Sequence, residues 1–473
     1  MIKLVNLTFY GGIQEIGGNK ILLEDNGTKI FLDFGMSFNL RRQFFEEYLT
    51  PRSANGIGDF FATGLLPEIS GIYRDDLLEH FGRKPEFPEL QGVILSHAHA
   101  DHANYVSFLH EDIPVFCGET CKYILEAVEE QSQRTLENEV LNFKKRPVFR
   151  SNYKDPPVER DFRTFRTGKK IKIDSLEIEP VHVDHSVPGA YGFISHTSEG
   201  AVVYTGDLRM HGMHAHMTDD FIEKAKDSKP VAMITEGTRI DIGKTDESEE
   251  KVYNDSKKEL SKNKKLSIVD FNFKDVDRFT TFYNMAKELG KKLVISFKHA
   301  CYLERYHRDK KIRAPDSRDK NILILKPKRL TGTYIDEDYQ DWYIKRRLNY
   351  PNIIKAEEIT RNPERYMVVL NFYYFNMLVD LKPYSGTYIH SLSEPFNEEM
   401  EISFERMHNW LKHFDLKFIQ SHCSGHISGF DLKDMIKIIQ PKILFPIHSE
   451  YPELFKKVTM NTKLLEKGKK YKL

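Results

Sequence analysis

The run Ser96-His97-Ala98-His99-Ala100-Asp101-His102 places four potential metal ligands within six residues. It follows Gly92–Ser96, an apolar segment that reads as a buried strand. At a strand end, residues i and i+2 point the same way, so His97 and His99 share a direction. Where the chain turns into the next helix, Asp101 and His102 can aim at a second nearby point. Imidazole and carboxylate donors suit zinc, and the mixed set also suits manganese. One cluster cannot complete two coordination spheres, so partners are expected at other strand ends. Three fit: His185 in Val181-His182-Val183-Asp184-His185-Ser186, Asp207 in Tyr204-Thr205-Gly206-Asp207, and His448 in Phe445-Pro446-Ile447-His448-Ser449. Taken singly, each reads as a capping Asp or a hydrogen-bonded loop His. Taken together, each closing an apolar strand, they complete a ligand set for two ions.

In this order the motifs resemble the metallo-β-lactamase superfamily, and the resemblance sharpens to its β-CASP branch of nucleases. Glu236 in Ile234-Thr235-Glu236-Gly237-Thr238 matches that branch's acidic motif A. His426 in His422-Cys423-Ser424-Gly425-His426 matches motif B, and His448 matches motif C. Gly11-Gly12, followed by Glu15-Ile16-Gly17-Gly18-Asn19, resembles the opening of RNase J and its archaeal relatives. The match covers about 1–240 and 415–473, and the middle matches only weakly.

The resemblance implies an α/β fold: a metallo-β-lactamase αββα sandwich with an inserted β-CASP α/β domain. The expected divisions are 1–239 for the first part of the sandwich, 240–415 for the insertion, and 416–473 for the returning part. It implies that His97, His99 and His185 hold one divalent ion, that Asp101, His102 and His448 hold the other, and that Asp207 bridges them. Zinc is the expected ion, with manganese the alternative. His182 is a rival for His185 but sits inside the strand pattern. Asp33, in Phe31-Leu32-Asp33-Phe34-Gly35, matches a strand-end Asp that orients the bridging water or a ligand His. His426, paired with the Glu236 carboxylate, is expected to protonate the leaving oxygen.

The implied activity is a metal-dependent ribonuclease, 5′ exonuclease and/or endonuclease, acting on single-stranded RNA. A histidine at motif C is the form usual in RNA-processing members. The alternative is a DNA nuclease, or another hydrolase of this fold acting on a small phosphodiester or ester. The intact ligand set argues against a catalytically dead scaffold.

Other residues leave alternatives open. Ser391 and Ser393, in Ile389-His390-Ser391-Leu392-Ser393-Glu394-Pro395-Phe396-Asn397-Glu398, resemble an RNase J segment beside its 5′-monophosphate pocket, with Phe396 where the family has Gly. They either bind a terminal phosphate or cap a helix starting near Asn397. Ser424 and Gly425 lie in a tight loop whose backbone N–H groups could meet a phosphate. His211, His214 and His216 read as loop histidines in preference to a third metal site. Lys144, Lys145, Arg146, Arg150, Lys326, Lys328 and Arg329 are either groove cations or ordinary surface residues.

These side chains need a β-rich scaffold, and the first half supplies one. Strands are expected at Ile2–Phe9, Lys20–Leu23, Lys29–Phe34, Ile113–Phe116, Lys170–Ile173, Leu176–Val183, Gly192–Ser195, Ala201–Tyr204 and Val231–Thr235. Residues 37–90 read as a long irregular excursion, and 118–137 and 219–227 as helices. After about 240, helices at Glu247–Leu260 and Val276–Leu289 each precede an apolar strand (Leu266–Phe271, Lys292–Ser296). That alternation predicts a parallel sheet. Met367–Phe372 is a further strand. From 416 come strand Leu416–Ser421, helix Leu432–Ile439, strand Ile443–Ile447 and a terminal helix.

Lys+Arg and Asp+Glu both number 70, so the net charge of zero lends no support to nucleic-acid binding, though a local basic groove is compatible with it. No segment reaches the roughly 20 apolar residues of a membrane span, and the N-terminus reads as a strand, not a signal peptide. The four cysteines make no disulfide framework, so a cytoplasmic location is expected. Cys117 and Cys121 read as core residues. The chain ends 25 residues after His448, so the additional C-terminal domain common in RNase J is expected to be absent. The oligomeric state is open.

Overall fold

A computed structural model describes residues 5–148, 156–262, 265–340, 342–344, 350–395 and 398–473. The described chain forms two compact units. One comprises Met1–Met210, His214–Thr245 and His426–Leu473; the other comprises His211–Met213 and Asp246–Gly425.

The first unit is built on two sheets. One has seven strands, in the order Lys470–Lys472, Val5–Gly11, Lys20–Asp25, Thr28–Phe34, Gly92–Leu95, Val115–Gly118 and Phe162–Phe165. Its first four pair antiparallel and the rest join in parallel. The other has six, in the order Ile443–Pro446, Ala232–Thr235, Gly200–Tyr204, Ala190–Thr197, Leu176–Val183 and Ile171–Ile173.

The inward faces of these sheets make one apolar core. Leu7, Phe9, Ile21, Leu32 and Ile94 from the first meet Ile178, Phe193, Val202, Ile234 and Phe445 from the second. Helices Ala215–Asp227 and Gly429–Ile439 cover the outer face of the second sheet, through Phe221, Ile222, Leu432 and Ile436 against Val181, Val203 and Met233. This layering is the αββα sandwich, with strand ends free to carry the site.

The second unit has its own seven-stranded, all-parallel sheet. The order is Ile353–Ile354, Ile322–Leu325, Lys292–Ser296, Tyr366–Val369, Leu266–Phe271, Gly386–Ser391 and Leu416–Gln420. Leu416–Gln420 pairs with Gly386–Ser391, which is why this unit runs on to Gly425.

Several expectations need correcting. The C-terminus carries no regular helix: a 3-10 turn at Pro452–Lys457 leads to the strand Lys470–Lys472, which closes an edge against Val5–Gly11. Tyr471 packs on Phe9 and Phe445 there, which stabilises the extended form. The Ser-rich segment begins inside a central strand, Gly386–Ser391, not in a turn. The excursion at 37–90 contains short helices at Phe38–Phe44, Gly58–Ala62 and Asp75–His80. The strand expected at Met367–Phe372 stops at Val369, and Phe372–Met377 is a 3-10 turn. Strand Ile322–Leu325 and helix Phe297–Tyr306 were not foreseen. Arg150, Phe396 and Asn397 lie outside the described residues.

Candidate metal centre

Strand Gly92–Leu95 delivers the chain to Ser96 at its carboxyl end, and the helix Ala100–Ala103 begins directly after His99. His97 and His99 therefore leave extended backbone, while Asp101 and His102 leave the first helical turn. His97 Nε2 lies 3.0 Å from His99 Nδ1, and His185 Nε2 lies 3.2 Å from the same atom. On the other side, His102 Nε2 is 3.7 Å from Asp101 Oδ2, and His448 Nε2 is 3.2 Å from it. Asp207 Oδ2 belongs to both sets: it is 3.8 Å from His97 Nε2, 3.9 Å from His185 Nε2, 3.1 Å from His102 Nε2 and 3.5 Å from His448 Nε2.

Nitrogen and oxygen donors around a tetrahedral ion at about 2.0–2.1 Å stand roughly 3.3–3.4 Å apart. Both groups have that spacing, so the residues fit two ions sharing one carboxylate oxygen. The second carboxylate oxygen of Asp207, Oδ1, is buried without a hydrogen-bond partner, which leaves this carboxylate under-satisfied beside the cluster.

The supporting shell fixes which ring nitrogen faces inward. His102 Nδ1 donates to Asp33 Oδ2 at 2.7 Å. Asp33 also accepts from the Ser96 N–H and hydroxyl and from the Tyr204 hydroxyl. These bonds fix the Asp33 carboxylate against the His102 ring. His97 Nδ1 donates to Ser96 Oγ at 3.0 Å, and His448 Nδ1 to Thr238 Oγ1 at 2.9 Å. In each case Nε2 is the ring nitrogen left facing the cluster. Asp33 and His448 hold φ of +59° and +54°, a left-handed conformation uncommon outside glycine.

The electrostatics agree with the ligand reading. Burial, then His102, His99 and His185, hold the His97 imidazole well below its usual value, so it stays neutral. Burial opposes charge on His102, but Asp207, Asp101 and Asp33 hold its value well above the ordinary one. Burial also works against ionised Asp101 and Asp207, yet His102 and His448 keep both below the usual carboxylate range.

Beside the two groups, His426 Nδ1 donates to Glu236 Oε2 at 3.0 Å. Burial lowers the basicity of this ring, but Glu236, followed by Asp207 and Asp101, raises it to about 9. The His426 side chain keeps 22% exposure while Glu236 keeps 1%. Glu236 Oε1 accepts the Leu208 N–H, and the Leu208 carbonyl accepts the Ile427 N–H, so one strand end ties both members of the pair.

The glycines of the N-terminal motif have a steric reason. Gly17 has φ +82°, and a Cβ there would stand 2.5 Å from Asp101 Oδ2. Gly35 lies so close to Asp101 that a Cβ would stand 1.7 Å from its carbonyl oxygen. Gly12 contributes its carbonyl, which accepts the His448 N–H at 2.7 Å.

The remaining candidates fall elsewhere. His182 lies within the strand Leu176–Val183, bonded to Thr167 and stacked on Tyr191. Ser391 is buried, its hydroxyl donating to the Ser421 carbonyl and accepting from Arg278 Nη1, so it is not presented to a ligand. Ser393 is exposed. Ser424 donates its N–H to Glu247 and, like Gly425, belongs to the second unit. His211 meets the Ser424 carbonyl, and neither His214 nor His216 joins a group of metal-binding geometry among the described residues. Lys145, Arg146 and Lys328 are engaged by Glu111, Glu139 and Asp380. Lys326 is buried against the Tyr334 carbonyl, while Lys144 and Arg329 are exposed. Cys117 and Cys121 are buried and joined in no disulfide. Thr238, Ser96 and Tyr204 carry supporting roles not anticipated from sequence: single hydroxyls give no spacing signal, although Ser96 and Thr238 adjoin the ligand run and motif A.

Comparison with known proteins adds to this geometry. A family described as "Beta-lactamase superfamily domain" matches residues 74–234, and one described as "Zn-dependent metallo-hydrolase RNA specificity domain" matches 416–457. Ribonuclease J of Mycoplasma genitalium is 22% identical, over 95% of this chain and 68% of that protein. Ribonuclease J of Pyrococcus abyssi is 21% identical, over 95% of this chain and 91% of the relative. For ribonuclease J of Helicobacter pylori the identity is 21%, over 94% of this chain and 56% of the relative. A crystal structure of a protein of unknown function from Enterococcus faecalis aligns over 99% of this chain and 100% of its own, with a TM-score of 0.74 and 23% identity.

Proposed function

We propose that this chain, which belongs to the metallo-β-lactamase superfamily in its β-CASP, RNase J-like branch, is a metal-dependent ribonuclease hydrolysing RNA phosphodiester bonds. The observation that carries the reading is Asp207 Oδ2, within 3.1–3.9 Å of histidine donors from both ligand groups. His97, His99 and His185 would hold one ion, Asp101, His102 and His448 the other, and Asp207 would bridge. Zinc is the ion we assign, since imidazole dominates the donor set. Divalent cations held there would supply an acidified water and neutralise charge on the transferring phosphoryl group.

The protein's own groups do the rest. Asp33 and Thr238 orient ligand rings. His426, held protonated by Glu236, delivers a proton to the departing oxygen from a ring that remains partly exposed. The unit over 246–425 is read as the inserted β-CASP domain; the Ser424 N–H, engaged by Glu247, is not assigned to a substrate phosphate. Four buried cysteines, none joined in a disulfide, support a cytoplasmic location.

The test is turnover of 5′-labelled single-stranded RNA, matched DNA and a chromogenic phosphodiester. RNA cleavage abolished by His97→Ala is expected. Phosphodiester turnover without RNA cleavage would sink the ribonuclease reading while leaving the metal centre intact. Comparing 5′-monophosphate with 5′-triphosphate RNA separates exonucleolytic from internal cutting.

A further inference from the structure

Most site residues have a local reason for their spacing. His97, His99, Asp101 and His102 share one strand-to-helix turn, and His448 is tied to Thr238 and to the Gly12 carbonyl. His185 and Asp207 are different. They come from separate loops, and the separation of those loops needs its own support.

Asp184 and Arg209 supply it. Asp184 directly precedes His185, and Arg209 lies two residues after Asp207. Arg209 Nε donates to Asp184 Oδ1 at 2.9 Å, with the side chains 0% and 1% exposed. The backbones are bracketed as well. The Arg209 N–H donates to the Asp184 carbonyl at 2.7 Å. Thr218 Oγ1 accepts the Asp184 N–H at 3.0 Å and donates to the Arg209 carbonyl at 2.8 Å. Asp184 Oδ2 accepts the His214 N–H at 3.1 Å, fixing the carboxylate from its other side.

A fully buried ion pair is weak as a stabilising device, because apolar replacements of the same volume often do as well. Its distinctive contribution is geometric: two rigid, directional groups hold two chain segments at one distance.

We propose that Asp184 and Arg209 are positioning residues. They set the separation of His185 and Asp207, and through it the affinity of the His97/His99/His185 group for its ion. The inference rests on the two-ion reading above. Supporting groups around metal ligands are worth roughly 10- to 100-fold in affinity.

The experiment titrates Co²⁺ into metal-free protein, following d–d absorption, with the unfolding temperature of each metal-free variant measured alongside. The parent is expected to take up two ions. Arg209→Met and Asp184→Asn are expected to weaken the ion beside His185 about 10- to 100-fold, with its ligand-field band altered, and to affect the other ion, which shares Asp207 but not His185, by a smaller factor. Arg209→Lys, which keeps the charge, should recover part of the loss. Thr218→Val, a smaller lesion that tests the bracket if the charge variants fail to fold, should weaken the same ion by a lesser factor. Two ions bound with parental affinity and spectrum in folded variants would overturn the positioning role and leave the two-ion reading standing. A parent that binds no Co²⁺ would overturn both.

Discussion

At the scale of single residues, the site's chemistry depends on where protons sit. Glu236 keeps the His426 imidazole charged, and ions bound at Asp207 and Asp101 would cancel the other two carboxylate contributions, leaving Glu236 as the decisive partner. Glu236→Gln should therefore shift the alkaline limb of the pH–rate profile to lower pH and reduce kcat by about 10²–10⁴-fold at pH 8, the usual worth of a positioned acid. A limb that stays in place would remove His426 from the reaction. His102 leads to a second expectation. Carboxylates hold its ring charged in the metal-free protein, so an ion must displace a proton from it. Isothermal titration in buffers of different ionisation enthalpy should show proton release on metal binding at pH 7, reduced in His102→Ala.

At the scale of elements, the glycine loop and the ligand turn behave as one piece. Gly17→Ala should cost about 1–2 kcal/mol in stability from its positive φ, and should also displace Asp101 and weaken metal binding, measured by unfolding and by metal content. In the other unit, Asp270 is 2% exposed at the heart of the parallel sheet, where it accepts the Tyr388 hydroxyl. Burial pushes its carboxyl up to about 7, so the fold favours the protonated acid. The native state then holds more protons than the unfolded state between the ordinary carboxylate value and about 7. Stability from this group is present at low pH and declines as pH rises through that window. Asp270→Asn should accordingly raise Tm more at pH 8 than at pH 5.

The convergence of these side chains was legible because metal chemistry demands particular side chains at strand ends, and that demand survives as spacing. His185 was distinguishable from His182 because only one of them lies beyond the strand. What was not legible depended on tertiary partners. Lys470–Lys472 is extended because Val5–Gly11 offers an open edge. Gly386–Ser391 is a buried strand paired on both sides despite its polar Thr387, His390 and Ser391, since burial there is served by hydrogen bonds that no periodicity encodes. The carboxylate of Asp33 collects four donors from two distant segments, and only its strand-end place hinted at this.

At the scale of the whole molecule, every atom of the two ligand groups belongs to one compact unit, while the other has a separate apolar core around Ile268, Val294 and Val368. Calorimetry should therefore resolve two unfolding transitions, with chelation lowering one and leaving the other in place, because an ion stabilises only the part that binds it. A single transition shifted as a whole would show that the two unfold together.

His448 meets Asp101 across 347 residues of chain, and its own amide is held by Gly12. A ribosome adding roughly 5–20 residues per second leaves an interval of about 20–70 s between those two ligands. Throughout that interval the nascent polypeptide has no complete cutting centre. A centre assembled this way cannot act before His448 has been made and has folded back onto Asp101 and Gly12.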